Sequence, residues 1–199
     1  MATKCKVEHD DTVFTDISNI PALKLRLEDP SYDVNETCGM GATSLMQAAS
    51  GDNIEAIELL LGHPDIDPNI RDCEGRTALH CAVMEGNLDY VQLFLSCDKV
   101  DPNIPDGMGN RVLSYACWNE EDKEILKFLL HHPRVDKNAF GEFVYSSEEE
   151  EEDELGFDTI HTAFETACMC SPAYILQWFL DCEDLKIGKK GMFYVCRTG

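Results

Sequence analysis

The sequence is poor in positive charge. Only 16 lysines and arginines stand against 38 aspartates and glutamates, a formal net charge of −22. Nucleic acid and anionic membrane surfaces repel such a chain, so the balance points away from both and toward a basic protein partner. Long hydrophobic runs are missing too. Nothing approaches the roughly 18 consecutive apolar residues of a membrane span. Residues Met1 to Asp10 are polar and charged, with no apolar stretch of leader length behind them. The expected location is therefore the cytoplasm, with the nucleus also open to it, and the ten cysteines are expected as reduced thiols. Catalytic signatures are lacking as well: there is no Gly-rich phosphate loop, no Gly-x-Ser-x-Gly elbow and no His-Glu-x-x-His helix. No pair among the many carboxylates stands out for acid/base work. No enzymatic activity, catalytic residue, metal or cofactor is expected.

What the chain does have is repetition. Leu27-x5-Asp33-x-Asn35, Leu61-x5-Asp67-x-Asn69, Leu95-x5-Asp101-x-Asn103 and Leu130-x5-Asp136-x-Asn138 share one pattern, with asparagines 34, 34 and 35 residues apart. A fixed period in this range marks a stacked repeat chain. In the clearest unit, Asp72 to Asn103, Leu79, Ala82 and Val83 form one apolar helical face. Leu88, Val91, Leu93, Phe94 and Leu95 form a second, wider one, and Gly86-Asn87 between them is a turn signal. Neither helix can bury its face alone, so neighbouring units must stack.

Thr77-Ala78-Leu79-His80-Cys81-Ala82, closed by Asp101-Pro102-Asn103, resembles an ankyrin repeat. The preceding unit is similar at Thr43-Ser44-Leu45 and Asp67-Pro68-Asn69, with Met46 replacing the histidine. The following unit is looser, with Arg111-Val112-Leu113-Ser114-Tyr115-Ala116 in the motif position. Asn19 to Asn35 aligns without a gap to Asn53 to Asn69, and a divergent unit runs from Thr162 to Leu180. The resemblance implies an all-α ankyrin-repeat solenoid of stacked helix–turn–helix units with an acidic loop insertion. The expected divisions are 1–35 (N-terminal segment and degenerate capping repeat), repeats at 36–70, 71–104 and 105–138, an acidic flexible insert at 139–157, a divergent repeat at 158–188 and a tail at 189–199.

Between Asn138 and Thr162 lie 23 residues where earlier junctions have seven. They contain the run Glu148 to Glu154, whose like charges repel and keep the segment solvated. It is either a tolerated surface insertion or an electrostatic contact for a basic partner. Ser146 and Ser147 each have a glutamate three residues on, which resembles sites of acidophilic kinases, and both are expected phosphorylation sites.

His63, Cys97, His132 and Cys182 each lie two residues after the last leucine of a unit. They invite a zinc reading that geometry opposes, because stacked helices are roughly 8–10 Å apart and a zinc ion needs ligands within about 2.3 Å. Cys117 and Cys168 occupy the small-residue position of Ala49 and Val83 and read as core. Thr77 with His80 resembles the family's structural hydrogen-bond pair. The repeat asparagines satisfy loop backbone groups first. The resemblance also makes Asn35, Asn69 and Asn103 candidates for an asparaginyl hydroxylase, with Asn35 the best fit.

The resemblance places a partner on a concave side built from loop tips and exposed first-helix positions. The candidate contacts are Met40, Arg71, Glu74, Arg76, Met84, Glu85, Met108, Asn110, Arg111, Tyr115, Trp118 and Asn119. Methionines and aromatics are adaptable interface anchors, and the three arginines form a basic thread in an acidic body. The alternative for Tyr115 and Trp118 is packing between repeats. The expected function is a protein-interaction scaffold, adaptor or inhibitor, monomeric unless another chain caps the C-terminal face. The competing readings are an ankyrin-domain fragment of a larger, catalytic protein, or a substrate of an asparaginyl hydroxylase.

Overall fold

The computed structural model describes residues 17–138 apart from 52 and 119–122, together with 163, 164, 167, 173–182 and 185. The acidic insert with Ser146 and Ser147, the contact candidate Asn119, the core candidate Cys168 and the tail lie outside the described residues.

Eight helices are defined among the described residues: α1 (Ile20–Leu27), α2 (Ser44–Ala49), α3 (Ile54–Leu61), α4 (Ala78–Met84), α5 (Leu88–Ser96), α6 (Val112–Trp118), α7 (Glu124–His131) and α8 (Ala173–Leu180). Their starts are set by side chains that accept from otherwise unpaired amides of the first turn. Asn19, Asn53 and Asn87 cap α1, α3 and α5 by accepting from the N–H of Ala22, Ala56 and Tyr90 at 3.2, 3.1 and 3.2 Å. These asparagines are themselves 34 residues apart. Thr43 caps α2 in the same way, accepting from Met46 N–H at 3.3 Å.

The helices form two rows. α2, α4 and α6 pack side by side, and α1, α3, α5, α7 and α8 form the second row behind them. Small residues buried in the first row, Ala48, Ala49, Ala82, Val83, Ala116 and Cys117, let the rows approach closely. Cys117 thus fills the position of Ala49 and Val83, as expected of a core thiol. The second row supplies bulk: Leu23, Ile57, Leu60, Val91, Phe94, Ile125, Leu126 and Leu129 are all buried. Each such side chain contributes about 1.5–3 kcal/mol on leaving water, and that term holds helices this short in place. Farther along, Ala163, Phe164 and Ala167 are helical and buried, and Phe164 meets Phe179 of α8 edge-on at 5.7 Å. The core therefore continues past the acidic insert. The only bridge of strand type among the described residues is an isolated one between Thr37 and Thr43.

Candidate functional site

Each unit ends in a long connection to the next, and the first part of it, the asparagine edge, carries the recurrent asparagine. Asn35 donates from Nδ2 to the carbonyl of Asp65 and accepts at Oδ1 from the N–H of Asp67, both at 2.8 Å. Asn69 does the same to Lys99 and Asp101, again at 2.8 Å. Asn103 does it to Arg134 and Asp136 at 2.8 and 2.7 Å. Each amide clamps the loop of the next unit by both its atoms. The aspartate two residues earlier orients it: Asp33, Asp67, Asp101 and Asp136 accept from the N–H of Asn35, Asn69, Asn103 and Asn138 at 2.9–3.0 Å. An enzyme acting on any of the three candidate asparagines must compete with two hydrogen bonds. His63 and His132 serve this edge as well, accepting at Nδ1 from the N–H of Asp65 and Arg134 at 3.2 and 3.4 Å. Among the described residues no group of three or more His, Cys, Asp or Glu is placed to hold a metal ion.

The second part of the same connections, the tip edge, begins three residues after each asparagine and carries the loop tips before α2, α4 and α6. In the second tip the Asp72 carboxylate accepts from the N–H of Glu74 and Arg76 at 2.9 and 2.8 Å, while Gly75 N–H donates to the Asp72 carbonyl at 2.9 Å. Asp106 repeats this in the third tip, accepting from Met108 and Asn110 N–H at 2.8 and 2.7 Å. Successive tips are joined through their backbones: Cys73 N–H donates to the Met40 carbonyl at 2.9 Å and Gly107 N–H to the Glu74 carbonyl at 2.7 Å. That approach explains Gly75. Its φ is +79°, and a Cβ there would lie 2.3 Å from the Gly107 nitrogen.

The candidate contact residues lie on the tips and the first-row helices, and among the arginines Arg71 is exposed while Arg76 and Arg111 are half-buried. Met40, Met84, Met108 and Trp118 are 40, 46, 54 and 41% exposed, and Glu74 and Glu85 are also exposed. The expected basic thread is different in kind. Arg71 donates from Nε to the Gly75 carbonyl at 2.9 Å, and Arg111 donates from Nε to the Asn103 carbonyl at 3.0 Å. Arg76 pairs with Asp72 and Glu74, each at 2.9 Å. These guanidinium groups fasten their own loops, because the carbonyls and carboxylates of a tight turn lie nearer than any partner. Asn110 is also turned to the inside. It is buried, donates from Nδ2 to Asp106 at 3.3 Å, and leaves its carbonyl toward His80.

Tyr115 bridges the two roles. Its hydroxyl donates to the buried Asp106 carboxylate at 2.6 Å. Its ring stands edge-on to His80 at 5.6 Å and to Trp118 at 5.3 Å. Burial first, and the Asp106 carboxylate second, push the phenol pKa well up, so it stays a donor. Tyr115 thus packs partly inward and braces the exposed Trp118. Behind it His80 is fully buried. Its Nδ1 lies 3.1 Å from Thr77 N–H and 2.9 Å from Thr77 Oγ1, so Nδ1 is the acceptor and Nε2 carries the proton, 3.4 Å from the Asn110 carbonyl. Burial lowers the His80 pKa to about 4.

Sequence reasoning missed Asp72 and Asp106 as the organisers of this edge. A signal was available: Asp-x-x-Gly recurs 34 residues apart at Asp72–Gly75 and Asp106–Gly109, where the first tip has Cys38–Gly41.

A clamped asparagine edge, paired helices in two rows and a Thr–His lock on the first helix are the features that the sequence resemblance implied. The family model described as ankyrin repeats in three copies matches residues 17–106 and again 45–140. The chain belongs to the ankyrin-repeat family. Ankyrin repeats are in general protein–protein interaction modules, typically non-enzymatic scaffolds. No curated protein matches the chain as an individual relative. No helix among the described residues is long and apolar enough to cross a membrane.

Proposed function

We propose that this ankyrin-repeat chain holds a protein partner against the concave face formed by its loop tips and first-row helices. The observation that carries the reading is where exposed apolar surface collects. Of seven large hydrophobic residues that are exposed among those described, Met40, Met84, Met108 and Trp118 lie on tips or at the ends of first-row helices. Exposed apolar side chains clustered on one face mark interaction sites, and Trp and Met are favoured anchors. The partner is basic. Glu74 and Glu85 border the apolar residues, Arg76 is paired with Asp72 and Glu74, and the net charge is −22. The Glu148 to Glu154 run adds long-range attraction that speeds encounter, and phosphates on Ser146 and Ser147 would deepen it. The chain acts as a monomeric scaffold, adaptor or inhibitor in the cytoplasm or nucleus.

The test is affinity capture from native lysate with three baits: wild type, Met84→Ala/Trp118→Ala, and a chain with residues 148–154 neutralised. A partner held by wild type should be lost on the first variant. On the second it should be weakened, more so at low salt. A partner retained equally by all three baits would remove this face from the function.

A further inference from the structure

The second and third loop tips differ in how they balance one carboxylate. In the second tip Asp72 is neutralised within its own loop, because Arg76 pairs with it at 2.9 Å. In the third tip the same two positions are Asp106 and Asn110. Asp106 is only 5% exposed, yet every donor that reaches it among the described residues is uncharged. The donors are the N–H groups of Met108 and Asn110 at 2.8 and 2.7 Å, Asn110 Nδ2 at 3.3 Å and the Tyr115 hydroxyl at 2.6 Å. Its hydrogen bonds are satisfied, but among the described residues no lysine or arginine pairs with it. A buried charge held this way acts on its surroundings with little screening.

Tyr115 links that charge to the exposed face, and it stands where the second unit has Cys81. Its hydroxyl donates to Asp106, while its ring meets Trp118 edge to face, with centroids 5.3 Å apart and planes at 78°. Rings set at this angle wall two sides of a corner instead of covering one another. Donation to a carboxylate leaves the phenol ring more electron-rich, and the face of an indole is already negative. Trp118 is 41% exposed. No cation of the described residues lies over either ring. The nearest one in sequence, Lys123, donates to the Cys117 carbonyl at 3.2 Å. The chain does make such a contact elsewhere, where the Arg26 guanidinium carbon lies 4.6 Å over the Tyr32 ring.

We propose that the Tyr115–Trp118 corner seats an arginine side chain of the partner, drawn by the two aromatic faces and by the Asp106 charge behind them; this seat rests on the partner-holding role proposed above and gives one of its anchors a chemistry. Arginine fits the corner better than lysine does. The corner is open to solvent, and a flat, weakly hydrated guanidinium stacks on an open aromatic face without shedding a tight water shell. A lysine ammonium is compact and strongly hydrated, and it gains most from aromatic faces where water is excluded. The second unit offers no such seat, since Arg76 covers its carboxylate and Cys81 replaces the ring.

The test is a titration of the isotope-labelled full chain with capped tri-arginine and tri-lysine peptides, which carry equal charge, and with uncharged tri-citrulline. The indole N–H signals of the two tryptophans, Trp118 and Trp178, are followed by NMR and assigned with Trp118→Phe. Tri-arginine should move the Trp118 signal at a midpoint at least about threefold below that of tri-lysine, and tri-citrulline should leave it in place. Asn110→Arg copies the second tip, gives Asp106 its own counter-ion and should raise the tri-arginine midpoint about threefold. Equal midpoints for the two cationic peptides would reduce the attraction to bulk charge and overturn the seat, as would an unmoved Trp118 signal. An unchanged midpoint in a folded Asn110→Arg chain would overturn the part given to Asp106. Trp118→Leu, added as a bait to the capture experiment, keeps an apolar side chain without an aromatic face. A partner lost on this bait supports the seat. A partner kept by it, yet lost on Met84→Ala/Trp118→Ala, overturns the arginine seat and leaves the interaction face standing. The peptide titration needs no partner, so failure of the face and failure of the seat are read separately.

Discussion

The two loop edges of this stack solve different problems with similar local chemistry. On the asparagine edge the same Asp-x-Asn returns in the first four units and makes the same bonds, within 0.1 Å, at three successive junctions. On the tip edge the backbone turn also returns, but the residues that emerge from it change. Met40, Glu74 and Met108 follow one another at one tip position, and Ser50, Met84 and Trp118 do so at the far, C-terminal ends of the first-row helices. The comparison separates scaffold from specificity. The asparagine whose amide is consumed by the next unit recurs unchanged, whereas positions whose side chains face solvent differ from unit to unit.

Substitutions at the two edges should therefore differ in what they damage. The largest effect is expected inside the tip edge, where its scaffold is tightest. Gly75→Ala combines a strained left-handed backbone with a Cβ driven against the Gly107 nitrogen, and it should cost about 3 kcal/mol or more, measured by urea unfolding. An alanine tolerated without loss would show that the tips do not approach as described.

Acid comes next. His80 has a folded pKa depressed by burial to about 4 from the ordinary histidine value of 6.5, so the unfolded chain takes up the proton first as pH falls. The neutral ring costs no stability above pH 6.5. Below it stability drops progressively, reaching about 3 kcal/mol at pH 4. Protonation would also remove the Nδ1 acceptor that Thr77 uses. His80→Met copies the residue of the preceding unit. The stability difference between wild type and this variant should shrink as pH falls from 7 to 5, and a pH-independent difference would exclude His80 as the titrating group.

On the asparagine edge, Asn69→Ala removes both bonds of a central clamp and should cost about 2 kcal/mol, since water only partly replaces them at a half-buried site. Asn35→Ala removes the same two bonds and should cost a similar amount, and a much smaller loss would show that the clamps are unequal. The smallest effect on stability belongs to Trp118→Ala, within about 0.5 kcal/mol because the indole is exposed. The same change should weaken partner binding by at least about tenfold. Large destabilisation without loss of binding would reverse the division between the edges.

Much of this was legible in the chain. Period, helix hairpins and the family resemblance follow from Leu-x5-Asp-x-Asn and from Thr77 to Ala82, because stacking identical units requires identical contacts at fixed spacing. The exposure of Met84 and Trp118 followed from helical register. The arginines and Asn110 were not readable in the same way. A guanidinium group is long and flexible, and only folding decides whether Arg76 meets solvent or curls onto Asp72 and Glu74. Asp106 was hidden for a related reason. A lone acidic residue in a loop looks solvated until Tyr115, nine residues on, is carried over it by α6.

By itself, then, the sequence determined the repeat, its register and the asparagine edge, since these rest on local periodicity and nearest-neighbour stacking. Only the tertiary structure decided which charges remain for a partner and which fasten the stack. That outcome depends on distances between side chains from different units. It is there that Arg134 finds the end of α5 and Tyr115 finds Asp106.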